Sequence, residues 1–200
     1  MSSMIKLLGI SASPRKAATD YVVREALRYA EDKGGVETKY FSVSGKELKF
    51  CMHCDHCMRN GVCIHRDDML ELYPLILWAD AILFGTPVYQ GTVSGQAKVL
   101  MDRCRAIVAK DMHALRGKVG AAVAVGGDRA GGQEIAIRTV IDFYIINEII
   151  PVGGGAFGAN LGASIWSKDK KAEGASEDRE GLKSLYRTVD RLIEIASAFE

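Results

Sequence analysis

The chain is expected to fold as an α/β protein, a doubly wound, five-stranded parallel sheet with helices on both faces and a cysteine-rich insert after the second strand. Three observations predict it. Apolar runs alternate with helix-period segments five times along the 200 residues, and such alternation forces crossover connections. The runs at 4–10, 81–85 and 119–125 are almost unbroken apolar sequence, as strands buried on both faces require. Each of these three discharges into a loop of small or hydroxyl residues, the place where open sheets of this kind hold their ligands.

Composition narrows the classes. Lys+Arg 26 against Asp+Glu 25 leave a formal charge of +1, and 48% of the residues are hydrophobic. That apolar fraction excludes disorder, and near-neutrality supplies no general attraction to phosphate, so no nucleic-acid partner is expected. No apolar stretch reaches the roughly 20 residues needed to span a bilayer; the longest, 135–152, is broken by Arg138, Asp142, Asn147 and Glu148. No membrane partner is expected, and Met1–Ile10 is too short for a secretion signal. The expected protein is soluble and cytoplasmic, a single domain over 1–200 with an inserted loop at 45–66 and a C-terminal loop and helix at 154–200. Five cysteines, an odd number without a leader, argue against a disulfide framework.

Each element follows from local pattern. Met4–Ile10 is a buried strand, followed by a turn at 11–16. Tyr21, Val22, Ala26, Leu27 and Tyr29 recur at helical spacing over 19–33, and Gly34-Gly35 stops that helix. Residues 36–43 alternate and are rich in β-branched and aromatic side chains, which predicts the second strand. Residues 45–66 have no sustained period and read as an ordered loop. A helix over 67–79 carries acidic residues in its first turn, and Pro74 predicts a kink or a break into two short helices. Then come a strand at 81–85, a loop at 86–95, a helix at 95–109, a strand at 119–125 and a glycine-rich loop at 126–132. A helix at 133–147, a strand at 149–153, a polar Gly-rich stretch and a helix from about 176 to 199 complete the chain. The charge-dense 168–180 segment reads as solvated surface.

Three loops carry the chemistry of one ligand. Ser11, Ser13 and Thr19 offer hydroxyls and Arg15 a cationic fork beside a helix N-terminus, where unpaired amides and the dipole favour a phosphate. Thr86-Pro87-Val88-Tyr89 supplies a stiff backbone and a flat aromatic face. Gly126, Gly127, Gly131 and Gly132, with Arg129 between them, permit close approach of backbone to a planar ligand. A flat heterocycle with one terminal phosphate fits all three, and FMN is the candidate cofactor. The first loop is neither a Walker loop nor a GxGxxG.

Cys51-x2-Cys54-x2-Cys57-x5-Cys63 places four thiols within 13 residues. Thiolates three residues apart can converge on one centre, and a cubane needs four of them. The turn at Asn60-Gly61 can fold the fourth back to the same cluster. A 4Fe-4S cluster is the expected occupant. Structural zinc is the competing reading, since His53, His56 and His65 stand nearby, but three evenly spaced cysteines suit paired zinc knuckles poorly. Cys104, mid-helix, reads as a small core residue, and Asp67-Asp68 as a helix start.

The Ser-x-Ser-Pro-Arg turn after the first strand, the Thr86-Pro87-Val88-Tyr89 loop and the Gly126-Gly127-x-Arg129-x-Gly131-Gly132-Gln133-Glu134 loop resemble the NADPH-dependent FMN reductase branch of flavodoxin-like proteins. With the cysteine segment included, the chain resembles the archaeal iron-sulfur flavoproteins from about Met4 to Gly153. It departs at Ala17-Ala18, where related phosphate loops usually carry Asn and Gly. The resemblance implies a flavodoxin-like sheet and a 4Fe-4S cluster on Cys51, Cys54, Cys57 and Cys63. It further implies a ferredoxin-type electron donor, a small-molecule acceptor such as dioxygen or peroxide, and a homodimer or homotetramer with cofactors near subunit contacts. The expected activity is FMN-dependent electron transfer. The alternatives are an NAD(P)H-dependent FMN or quinone reductase with an accessory cluster, and a redox-sensing module without catalysis. Electron transfer needs no general acid or base, and none is nominated.

Overall fold

The computed structural model describes residues 4–155 and 157–199; the segments 1–3, 156 and 200 of the expected domain lie outside the described residues. Strand β1 (Ile5–Ser11) leads through a turn to α1 (Ala18–Asp32) and back to β2 (Val36–Ser42). The cysteine segment follows, containing one short helix, α2 (His56–Asn60), and then α3 (Met69–Trp78), β3 (Ala81–Tyr89) and β4 (Thr92–Val93). Helices α4 (Gly95–Arg103) and α5 (Arg105–Val108) precede β5 (Val119–Gly126), α6 (Gln133–Ile146) and β6 (Ile150–Val152). Strand β7 (Ala163–Trp166), α7 (Lys171–Ser176) and α8 (Arg179–Ala198) close the chain.

The sheet runs β2-β1-β3-β5-β6, with every one of these pairs parallel. Strand order therefore reverses between β1 and β3, which puts the topological switch point, and its crevice, over the carboxyl ends of those two strands. The fifth lane of the sheet is shared. Strand β6 pairs with Val119–Ala121 and β7 with Val123–Gly126, both in parallel. The expected fifth strand at 149–153 is thus half of the lane, and the stretch read as polar loop contains the other half.

Each sheet face is covered. Leu8, Ile10, Phe84, Leu100, Ile137 and Tyr144 belong to the core under α3–α6, while Leu7, Val22, Val23, Leu83, Leu185 and Leu192 belong to the core under α1 and α8. Gly85 lies at the tightest approach of α1: a Cβ there would stand 2.3 Å from Val23 Cγ2 and 3.2 Å from the Ile10 carbonyl.

Four expectations are corrected. Of the two outcomes expected at Pro74, the break into two helices does not occur, since α3 runs through it; the hydrogen bond lost there would have gone to Leu70, on an exposed part of the helix. Strand β3 extends past Gly85 to Tyr89 and turns back on β4. Gln90 and Gly91 both have positive φ, 50° and 82°, the geometry of a tight two-residue hairpin. The helix expected at 95–109 divides at Cys104 into α4 and α5. The 168–180 segment is only partly solvated surface, since Gly174, Ala175 and Asp178 are buried.

Candidate functional site

The first loop is shaped by its own hydroxyl. Ser13 Oγ accepts from Arg15 N at 3.2 Å and donates to the Arg15 carbonyl at 3.0 Å, a local turn that presents Arg15 to solvent. Helix α1 begins at Ala18 with no side chain capping its first amides, which leaves the donors that a helix N-terminus cannot pair within itself. Ser11 Oγ is buried with no hydrogen-bond partner, a rare condition for a buried polar atom, and Ser11 does not itself line the cavity at this edge.

The hollow at this edge has a volume of about 240 Å³. The first loop contributes Ser13, Arg15, Ala17, Ala18 and Thr19; the second contributes Pro87, Val88 and Tyr89; the third contributes Val125 and Gly127. The structure therefore brings the three loops to one cavity. A fourth wall, Ser167, Asp169 and Lys171, went unpredicted. It follows β7 and packs on the third loop: Ser167 N and Oγ both donate to the Gly126 carbonyl, at 2.8 and 3.0 Å, and Trp166 Nε1 donates to the Gly127 carbonyl at 2.6 Å. Lys168, Asp169 and Lys171 all hold positive φ, uncommon for non-glycine residues and concentrated at sites where surrounding structure enforces it. The alternation of Ala163-Ser164-Ile165-Trp166 was the available signal for the strand that positions this wall.

Other expected residues lie behind the cavity surface. The Thr86 hydroxyl donates to the Pro87 carbonyl at 2.9 Å and accepts from Ser94 N at 3.2 Å. Ser94 Oγ caps α4 through Ala97 N and donates to the Ala12 carbonyl at 2.7 Å, locking the second loop to the first. Gly126 and Gly131 are backbone anchors; the Gly131 N–H donates to Gln133 Oε1 at 2.8 Å. Gly132, at φ +108°, lies so close to Gly91 that a Cβ would meet its carbonyl oxygen at 2.7 Å, which ties the third loop to the hairpin. Arg129 is not in the cavity. It is turned away to pair with Asp178 and lies 5.2 Å from the Trp166 ring centroid.

The cysteine segment leaves β2 at the same edge, where Val43 N donates to the Ser11 carbonyl at 3.1 Å. It then packs on α4 and α5 rather than on the cavity. Cys51 and Cys54 are exposed, Cys57 and Cys63 half-buried, and all four are free thiols. Asp55 caps α2 in the left-handed region and Gly61 ends it the same way. Arg105 pairs with Asp55 at 2.5 Å and reaches Cys57 Sγ at 3.9 Å. His56 Nδ1 lies 3.3 Å from Asn60 Nδ2, and His65 Nε2 lies 3.1 Å from the Phe50 carbonyl. Among the described residues, no group of three or more His, Cys, Asp or Glu side chains converges to hold a metal ion. The donor chemistry nonetheless favours an iron-sulfur cluster: four soft thiols, with His56 and His65 engaged locally. Burial pushes the Cys104 thiol up to about 12, which keeps it protonated in the core.

Asp67 and Asp68 do more than start α3. Asp67 accepts from Lys49 N at 2.8 Å and pairs with Arg103, while Asp68 accepts from Glu47 N at 2.7 Å. Burial alone would raise the Asp67 carboxyl, but Arg103 and the Lys49 and Met69 amides outweigh it and hold the group below its ordinary range. A second hollow, about 440 Å³, lies beside Cys63 between the segment and α3 and α5, lined by Leu70, Tyr73, Leu77 and Ile107.

A parallel sheet with this strand order, and a cavity at its switch point, define the flavodoxin-like class. Residues 5–164 match the family of NADPH-dependent FMN reductases. An iron-sulfur flavoprotein of Methanocaldococcus jannaschii is 58% identical over 192 residues, 96% of each chain. Another, of Archaeoglobus fulgidus, is 53% identical over 194 residues, 97% of this chain and 98% of the relative. The chain belongs to the NADPH-dependent FMN reductase family and, within it, to the iron-sulfur flavoproteins. Among solved structures, RosB superposes with TM-score 0.74 at 17% identity, covering 96% of this chain and 79% of RosB. A flavodoxin-like, WrbA-like protein of Agrobacterium tumefaciens gives 0.69 at 15% identity over the whole of both chains. These two likenesses concern the fold alone. Among the described residues no helix is long and apolar enough to cross a membrane.

Proposed function

We propose that this protein is a cytoplasmic electron-transfer oxidoreductase that binds FMN in the switch-point cavity and a 4Fe-4S cluster on Cys51, Cys54, Cys57 and Cys63. The observation that carries the reading is the convergence of Ser13, Arg15, Thr19, Tyr89 and Gly127 on one cavity at the uncapped N-terminus of α1, with four free thiols in the segment that leaves the same sheet edge. FMN supplies one- and two-electron chemistry and the cluster one-electron chemistry. Two reduced ferredoxin-type donors would each give up one electron, and a small two-electron acceptor such as dioxygen or peroxide would take both with protons from water.

The chain's own residues divide the binding. Ser13, Arg15 and Thr19 line the cavity and hold the phosphate, with the Ser11 hydroxyl buried behind the lining, and the α1 dipole favours the negative charge. Tyr89, with Pro87 and Val88, offers the face against which a planar ring stacks. The Gly126-Gly127 backbone approaches the same ligand, and Thr86, Gly131 and Gly132 fix the loop shapes. No residue of 45–66 lines the cavity, while Phe50, Met52, Met58, Val62 and Ile64 of that segment are exposed apolar side chains. Both facts support a homodimer or homotetramer in which the cysteine segment of one chain covers the cavity of another.

The test is anaerobic purification with FMN, iron and sulfide measured per chain, followed by stopped-flow mixing with reduced ferredoxin. Bleaching of flavin and cluster absorbance is expected; unchanged absorbance in fully loaded protein rejects the donor. Rapid bleaching by NADPH instead selects the reductase reading that the family match favours.

A further inference from the structure

One buried guanidinium holds both ends of the cysteine segment. Arg103 donates from one terminal nitrogen to the Lys49 carbonyl and to Asp67 Oδ2, each at 2.7 Å, and from the other to Asp67 Oδ1 at 3.0 Å. Lys49 precedes Cys51 by two positions and Asp67 follows Cys63 by four. Alongside, Glu47 and Asp68 exchange two further bonds, so the stems are cross-linked where the segment leaves the domain. The Arg103 and Asp67 side chains are 1% and 0% exposed.

A buried ion pair is a poor way to gain stability, because an apolar pair of similar volume often does as well. Its presence here asks for another role, and the third nitrogen supplies one. Arg103 Nε is buried and has no partner, although both terminal nitrogens donate. A buried N–H without an acceptor is unfavourable unless something else accepts from it. Tyr73, whose hydroxyl donates to the Arg103 carbonyl at 3.3 Å, lines the same hollow as Cys63, and Arg105 approaches Cys57 from the same stretch of helix.

Resting on the iron-sulfur reading of this segment, we propose that Arg103 is the positioning residue of the cluster. Its fork sets the separation of the two stems, and its spare Nε–H is the donor for sulfur. Hydrogen bonds to sulfur stabilise the more negative, reduced form of such a cluster and raise its potential. The FMN cavity contains neither Arg103 nor Asp67, so the two cofactors should respond differently to changes here.

The experiment uses the full chain, purified anaerobically, in two variants. Arg103→Lys keeps a charge opposite Asp67 but lacks the fork and the Nε–H. The double variant Arg103→Met/Asp67→Leu removes both charges at similar volume, so no lone ion is left buried. FMN, iron and sulfide are counted per chain, and the cluster midpoint potential is followed by electron paramagnetic resonance. Both variants should keep FMN at the wild-type ratio. Arg103→Lys should retain iron with the midpoint shifted to a more negative value, and the double variant should lose half its iron or more. Full iron at the wild-type potential in both variants overturns the proposal and leaves the iron-sulfur reading standing. Loss of FMN in parallel with iron also overturns it, because the contact would then serve the whole fold. Wild-type protein with FMN but neither iron nor sulfide overturns the proposal and that reading together.

Discussion

Two aspartate–arginine pairs with buried carboxylates stand behind the two sites, and they are built in opposite ways. On the cysteine side both partners are buried and the cation is the hub, joining Lys49, Asp67 and its own helix. On the cavity side the carboxylate is the hub. Asp178 is 2% exposed and accepts from Trp166 N at 2.7 Å and Gly181 N at 3.1 Å, while its partner Arg129 is 48% exposed. The difference sets what each partner is worth. Removing either member of the first pair strands a charge in the core. In the second, the backbone amides depend on Asp178, whereas Arg129 can turn to water.

The largest expected effect follows from the first pair. Asp67→Ala leaves the Arg103 charge uncompensated, and chemical denaturation should register a loss of about 3–5 kcal/mol. The same pair carries a pH signature. The Asp67 carboxyl is held below its ordinary value in the folded protein, so its contribution is complete above an unfolded pKa of about 3.9 and is lost as pH falls through the folded value. The stability gap between wild type and Asp67→Asn should therefore stay flat from neutral pH to about 5 and close below about 4. A gap that widened on acidification would contradict that direction.

Asp178→Ala should come next. It removes the cap of α8 and leaves the Trp166 amide without its acceptor, a cost of about 1–3 kcal/mol by the same assay. Because Trp166 and Ser167 carry the fourth wall of the cavity, FMN binding should weaken alongside stability. Asp67→Ala, remote from that wall, should weaken cluster retention first.

Ser11 lets stability and binding be separated. Its buried hydroxyl has no partner in the protein, so Ser11→Ala should leave the FMN-free protein unchanged or stabilise it by about 1 kcal/mol. The same change should raise the FMN dissociation constant about tenfold, the worth of one hydrogen bond to a charged group. Fluorescence titration of the apoprotein with FMN measures the second effect, and loss of stability without loss of affinity would remove Ser11 from the phosphate site.

The sequence was most legible where backbone dictates the outcome. Buried parallel strands announce themselves as apolar runs, and the loops after β1, β3 and β5 had to meet at one edge once the strand order was given. The cysteine spacing was equally plain. Missing were the features made by contacts distant in sequence. Arg103 in Met101-Asp102-Arg103-Cys104 reads as an ordinary charged helix position, and Asp67 as a favourable charge at a helix start; only packing shows that they face each other in the core. Strand β7 was hidden because four residues between glycines and lysines carry too short an alternation to stand out. Pro87 disguised the end of β3, although Gln90-Gly91 between Val88-Tyr89 and Thr92-Val93 was a hairpin signal.

Arg129 should give the smallest effect. Its position among glycines made it an expected FMN contact, yet it pairs with Asp178 beside Trp166 and does not line the cavity. With nearly half of its side chain in solvent, screening limits the pair to under about 1 kcal/mol. Arg129→Ala should therefore change the unfolding midpoint little and leave FMN affinity within about twofold, a difference of roughly 0.4 kcal/mol. Asp178→Ala should by contrast lower both. If Arg129→Ala instead weakened FMN tenfold at unchanged stability, the arginine would swing from Asp178 to the cofactor when FMN binds, and the cavity-side pair would be a latch rather than a brace.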